Sequence, residues 1–304
     1  MTTSTLFRSD ASRSAIERAY ERLLEDTPQA RPHRVPTRFG ETHMLVAGPE
    51  HAPPLVVLHG AFANSAMAIR EAHPLLDQFR VYALDVIGQS VKSADVRLRG
   101  DGNDHADWLL DVLAALQLSQ AHFLGASAGG FIARTLAERA PERIDRLVLL
   151  VPAGIVKTPL LRGMSKSGIP MLLYRTMGNR AALARLVDSI LTAPDQQLKE
   201  YLGAAFRHYR LDIAVPPLGT PEALLGFRRP TLVIAASDDI TAPGAALLER
   251  ARELFPHATF DLLANCKHIP PTDDASRAKL CGRIARFLLA EETQPASERV
   301  ERTS

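Results

Sequence analysis

Cysteine is nearly absent: the 304-residue chain carries two, Cys266 and Cys281. They lack the paired spacing of a zinc or redox motif, and so few thiols cannot frame a disulfide-stapled fold; both are expected to be reduced. Charge of one sign is missing too. With 36 basic against 34 acidic residues the formal net charge is only +2, and the arginines are spread along the chain without a basic block. That removes the electrostatic case for nucleic acid or an anionic membrane. No run approaches the roughly 18 apolar residues of a membrane span. The opening "MTTSTLFRSDASRSAIERAY" has no apolar core of about 7 to 15 residues, so no secretory signal is expected and the location reads as cytoplasmic.

What is present is the balance of a globular domain, 46% hydrophobic and 23% charged, in a length that α/β folds commonly reach. Short β-rich runs alternate with amphipathic helical stretches. The strand candidates are "HMLVAG", "PLVVLHG", "RVYALDV", "AHFLGAS", "RLVLLVPAG", "PTLVIAAS" and "ATFDLLA". Most are continuously apolar, which suits strands buried on both faces of a mostly parallel sheet covered by helices. Helical patterns fall near 11–25, 64–77, 104–118, 129–140, 243–254 and 272–290. "TRFGETH" reads as a hairpin around Gly40, making the first strand pair antiparallel.

One interval breaks the alternation. Between "LVPAG" and the strand beginning near Pro230, the chain is mostly helical and offers no strand for the main sheet. Residues 154–226 are therefore expected to form a lid, inserted after the sixth strand, that supplies much of a substrate pocket. The expected organisation is an N-terminal helical extension over 1–30, a core over 31–153 and 227–291, this lid, and a polar tail over 292–304.

The segment "HFLGASAGGF" places Ser127 on the turn between a strand and a helix, in the pattern Gly125-Ala126-Ser127-Ala128-Gly129. In that context G-x-S-x-G is a nucleophile elbow. The turn is tight enough that residues two before and two after the serine leave no room for a Cβ. The following helix points its positive end at the site.

A serine hydroxyl needs a base, and the base needs a partner that fixes its tautomer. Among the 10 histidines, His33, His43, His51, His73, His105, His122, His208 and His257 have no motif around them and read as surface or packing residues. His268, in "LLANCKHIPPTDD", stands after the last strand and before the last helix, where a base can hang over the sheet edge. The loop after the preceding strand, "VIAASDDITAPG", offers Asp238 and Asp239 as the acid. The loop after "RLVLLV" contains no carboxylate. The strand end "VVLHGAFANS" runs through His59 and Gly60 into small residues, so the main-chain N–H groups of Ala61 and Ala128 are the expected oxyanion donors. His59 reads as a brace for that loop. Phe62, Met171 from the apolar "IPMLLYRTM" stretch, and Ile269 are candidate pocket residues.

Taken together, these segments resemble the α/β-hydrolase superfamily, whose chain order is Ser, acid, His. Within it they are similar to bacterial carboxylesterases of the naproxen-esterase type. The resemblance rests on "PTRFGETHMLVAGPEHAPPLVVLHGAF", "FRVYALDVIGQSVKS", "DHADWLLDVLAAL", "GASAGG" and "PERIDRLVLLVPAG". It implies hydrolysis of a small ester with a hydrophobic acyl or aryl group, through an acyl-enzyme and without metal or organic cofactor. Ser127 would be the nucleophile and His268 the base. The superfamily's D-x-x-x-P frame fits Asp239 and Pro243, which favours Asp239 as the acid. A serine at the elbow argues against haloalkane dehalogenase or epoxide hydrolase chemistry. Carbon–carbon bond hydrolases, cofactor-free perhydrolases, and ligand-binding proteins on the same fold remain as alternatives. Two loops depart from the family pattern: "AAS" precedes the acid where glycine is usual, and Lys267 precedes the histidine.

Overall fold

Apolar runs with few turn residues between them become strands when both faces can be covered, and that is how this chain folds. The structure, a computed structural model, describes residues 6–25, 27, 29–100, 103–158, 164–210 and 215–290. In chain order the elements are α1 (Asp10–Leu24), β1 (Arg31–Thr37), β2 (Gly40–Ala47), β3 (Pro54–Leu58), α2 (Ser65–Glu71), β4 (Arg80–Leu84), α3 (Asn103–Ala115), β5 (Ala121–Ala126), α4 (Ala128–Arg139) and β6 (Ile144–Leu150). There follow α5 (Ile169–Met177), α6 (Arg180–Ile190), α7 (Gln196–His208), β7 (Thr231–Ala236), α8 (Gly244–Leu254), β8 (Thr259–Leu263) and α9 (Asp274–Leu288).

The eight strands make one sheet in the order β1-β2-β4-β3-β5-β6-β7-β8. β1 and β2 form the expected hairpin, closing at Thr37 opposite Gly40, whose φ of +114° is the turn's glycine requirement. β2 pairs antiparallel with β4, and every later pairing is parallel. The period-2 alternation divides the strand residues between two cores. Leu55, Val57, Leu124, Val148, Leu232 and Ile234 face the side covered by α1, α2, α9 and the helices after β6. Val56, Leu58, Phe123, Leu147, Leu149 and Val233 face α3, α4 and α8. The single tryptophan, Trp108 of α3, is fully buried, and its indole N–H donates to the Thr42 hydroxyl at 2.7 Å.

Between β6 and β7 the described residues contribute a π-helical turn at Met164–Gly168, three α-helices, α5 to α7, and no strand of the sheet. Gly178, left-handed at φ +66°, ends α5. Asn179 and Asp195 cap α6 and α7 by accepting from the N–H groups of Ala182 and Leu198. Part of the "LLRGMSKSG" stretch, residues 160–163, lies outside the described residues, as does the tail 291–304. At the other end of the chain, α1 buries Ile16, Ala19, Tyr20 and Leu23 in the same core as α7.

Candidate active site

The parallel strands end on one edge of the sheet, and the candidate residues come from the loops that follow β3, β5, β7 and β8. Ser127 follows β5 directly. It has φ +51° and ψ −115°, a conformation costing about 1–3 kcal/mol that persists only where the surroundings enforce it. They do so by hydrogen bonds: Ser127 donates its N–H to the Leu150 carbonyl at 2.9 Å, and its own carbonyl accepts from Gly130, Phe131 and Ala153. The flanking glycines have separate reasons. A Cβ on Gly125 would stand 2.5 Å from the Gly129 carbonyl oxygen, while one on Gly129 would stand 2.2 Å from the Leu58 carbonyl oxygen at the end of β3. A Cβ on Gly130 would stand 2.8 Å from the Pro152 Cβ. The elbow is thus wedged between the ends of β3 and β6.

Two loops converge on it. His268 Nε2 lies 2.9 Å from Ser127 Oγ, and His268 Nδ1 lies 2.7 Å from Asp239 Oδ2. The Asp239 side chain is wholly buried and that of His268 is 16% exposed. Asp239 Oδ1 accepts from the Thr241 N–H and hydroxyl, each at 2.7 Å, and from the Ala242 N–H at 3.2 Å. Burial alone would raise the Asp239 carboxyl, but the His268 hydrogen bond and charge, with the Thr241 donors, outweigh it and hold the group below the usual carboxylate value. Asp238 turns elsewhere and accepts from the Ser237 hydroxyl at 2.9 Å. Lys267 does not crowd the base: its Nζ donates to the Asp188 carbonyl at 2.6 Å. Thr241 was not singled out from the sequence. Its signal is the Asx-turn position two residues after the acid.

The loop after β3 is fixed through His59, which is buried. Burial pushes its pKa below the ordinary value, and a neutral ring suits its two contacts: Nδ1–H donates to the Gly60 carbonyl at 2.8 Å and Nε2 accepts from the Val86 N–H at 3.0 Å. Gly60 lies against the elbow, since a Cβ there would approach Ser127 Cβ at 3.3 Å. Ala128 is the first residue of α4, so its N–H precedes the intrahelical ladder. Ala61 lies in the turn closed by the Ala63 N–H on the Gly60 carbonyl. Phe62, at φ +62°, sets its ring edge-on to Phe206 of α7 at 5.3 Å. Phe62, Met171 and Ile269 all pack, half-buried, on one hydrophobic cluster.

A second buried polar cluster holds the far end of the same loop. Asp85, which follows β4 and is 0% exposed, accepts from His43 Nδ1 at 2.6 Å, the Ser65 N–H and hydroxyl at 2.8 Å, and the Ser90 hydroxyl at 2.5 Å. Tyr20 of α1 adds its hydroxyl, 2.7 Å from Ser65 Oγ. Burial raises the Asp85 carboxyl and would dominate alone; the His43 bond and charge, with the Ser90 bond, bring it below its ordinary value. His43 read from sequence as a packing or surface residue. Its role depends on the β2–β4 pairing, which no local pattern announces.

The sheet, the elbow and the converging loops define an α/β hydrolase. The α/β hydrolase fold family matches residues 53–168 of the chain. Within that fold the chain resembles bacterial carboxylesterases of the naproxen-esterase type. The uncharacterized carboxylesterase nap of Bacillus subtilis is 29% identical over 266 residues, covering 84% of this chain and 86% of that protein. The crystal structure of naproxen esterase from Bacillus subtilis superposes with a TM-score of 0.78 at 26% identity, over 90% of this chain and 97% of that one. Carboxylesterase CesB (YbfK) from the same organism gives 0.79 at 25% identity, over 92% and 99%. Among the described residues no cluster of three or more His, Cys, Asp or Glu could hold a metal, and no helix is long and apolar enough to cross a membrane.

Proposed function

We propose that the chain hydrolyses carboxylic esters through an acyl-enzyme on Ser127, with His268 as general base and acid and Asp239 as its carboxylate partner. The observation that carries this reading is the unbroken hydrogen-bond chain from Ser127 Oγ through the His268 ring to Asp239, at 2.9 and 2.7 Å. Ser127 Oγ attacks the ester carbonyl as its proton passes to His268 Nε2. Asp239 stabilises the imidazolium and holds the ring by Nδ1–H. The oxyanion rests on the N–H groups of Ala61 and Ala128, each worth about 3 kcal/mol of transition-state stabilisation. Collapse of the intermediate expels the alkoxide, which takes the proton from His268 Nε2 and leaves as the alcohol. Water then gives one proton to His268 Nε2 and its oxygen to the acyl carbon, and collapse of this second intermediate expels the Ser127 oxygen, which takes that proton back as the carboxylic acid leaves.

The substrate is a small ester whose acyl or aryl group is hydrophobic. Support comes from the apolar cluster holding Phe62, Met171 and Ile269. The described helices α5 to α7, within the 154–226 interval, act as the lid over that group. The reaction belongs to the cytoplasm, with no nucleic-acid partner; two free, buried cysteines fit a reducing compartment. A panel of p-nitrophenyl esters of increasing chain length tests the reading. Hydrolysis by the wild type and none by Ser127→Ala is expected; a folded wild type inert on the whole panel would contradict it.

A further inference from the structure

The backbone on both sides of His268 is held by the helical segment between β6 and β7. Thr192, half-buried in the link between α6 and α7, makes the central contact. Its hydroxyl accepts from the Lys267 N–H at 2.9 Å and donates to the Ile269 carbonyl at 2.7 Å, so a single oxygen bridges the residues immediately before and after the base. Main-chain bonds reinforce it. The Thr192 N–H donates to the same Ile269 carbonyl at 3.0 Å, and the Ile269 N–H donates to the Ile190 carbonyl at 2.8 Å, forming a one-residue parallel bridge between Leu191 and Ile269. Lys267 Nζ completes the set on the Asp188 carbonyl. Three residues on, Asp195 ties the same link to the body of the protein, through Arg70 at 2.9 Å and Thr272 at 2.7 Å.

Apart from the contacts of the His268 ring, the loop that carries it is anchored on its other side by buried Cys266, which packs with Val151 and Ala236. It lies between edge strand β8 and α9, and the residues before the histidine are a turn with Asn265 at φ +52°. Within it, the Cys266 carbonyl accepts from the Asp238 N–H at 2.8 Å. A base that must meet Ser127 and Asp239 simultaneously tolerates little displacement, since misplacement by about 1 Å can cost roughly 100-fold in rate.

We infer that Thr192 is a positioning residue for the catalytic base: its hydroxyl brackets His268 and makes the α6–α7 link part of the catalytic machinery. The inference rests on the triad proposed above. The link supplies the geometry, and the hydroxyl supplies a donor and an acceptor that no apolar side chain can replace. Serine keeps both functions, whereas valine keeps the shape and loses both.

The test uses the 304-residue chain with p-nitrophenyl acetate and compares Thr192→Val with Thr192→Ser. For Thr192→Val, kcat is expected to fall roughly 10- to 100-fold with KM nearly unchanged, because the interaction acts on the reacting geometry and not on substrate binding. Thr192→Ser is expected to stay close to wild type. Proton NMR supplies a second readout: the low-field resonance of the His268 Nδ1 proton shared with Asp239 should broaden or vanish in Thr192→Val and persist in Thr192→Ser. If the valine variant does not fold, Thr192→Ala serves in its place with the same expected loss. Wild-type kcat in Thr192→Val, equal damage by serine and valine, or a lowered rate with the His268 resonance intact would each overturn the inference. Ser127→Ala run in parallel separates the two claims: if it is inactive while Thr192→Val is not, the positioning role alone fails, and if it stays active the triad fails.

Discussion

Asp239 and Asp238 are adjacent, yet only Asp239 faces the base: its Oδ2 lies 2.7 Å from His268 Nδ1, while Asp238 accepts from the Ser237 hydroxyl. Asp239→Asn should therefore lower kcat by about 10³- to 10⁴-fold by removing the partner that fixes the histidine tautomer. Asp238→Asn should change kcat by less than about threefold, in line with loss of a solvated hydrogen bond. Steady-state kinetics on a soluble ester checks both. Equal losses, or the reverse order, would reassign the acid.

Glycine substitutions separate tight positions from open ones. Gly129→Ala drives a methyl to 2.2 Å from the Leu58 carbonyl oxygen, backbone against backbone, and should destabilise the fold by about 3 kcal/mol or more. Gly282→Ala, within α9, meets nothing within 4 Å and should stabilise by about 0.5–1 kcal/mol through helix propensity. Urea unfolding of the two variants beside wild type measures both signs at once.

The Asp85 cluster predicts an acid limit to stability. Its carboxyl is held below the ordinary value of 3.8 in the folded chain, so between those two values the unfolded state binds the extra proton. The stabilisation is therefore present above the ordinary value and is lost as pH falls through the depressed one. Asp85→Asn should cost about 3–5 kcal/mol at neutral pH, as expected for one partner removed from a buried pair. Its stability should also fall less steeply below pH ~4. Denaturant midpoints between neutral and acid pH would reveal parallel curves if Asp85 contributed nothing.

Much of this architecture is legible in the residues because local signals agree with the global fold. Continuous apolar runs predict doubly covered strands, "TRFGETH" predicts the hairpin, and "LGASAGG" predicts a strand, a strained turn and a helix around Ser127. What local pattern cannot convey is which distant groups meet. His43 looks like any strand histidine until β2 lies against β4 and brings it to Asp85. Thr192 looks like a helix-end residue until its link crosses the loop of His268. Gly129 also has a partner the elbow pattern does not name: its space is taken by the Leu58 carbonyl of β3, and Gly125 is the residue pressed against Gly129.

The most direct test of the account is covalent. A fluorophosphonate probe incubated with the folded wild type, followed by peptide mass spectrometry, should place a single stoichiometric adduct on Ser127 and abolish p-nitrophenyl acetate hydrolysis in parallel. His268→Ala should slow that labelling by about 10³-fold or more, since the hydroxyl then has no base. An adduct on another residue, or undiminished hydrolysis after complete labelling of Ser127, would contradict the central claim.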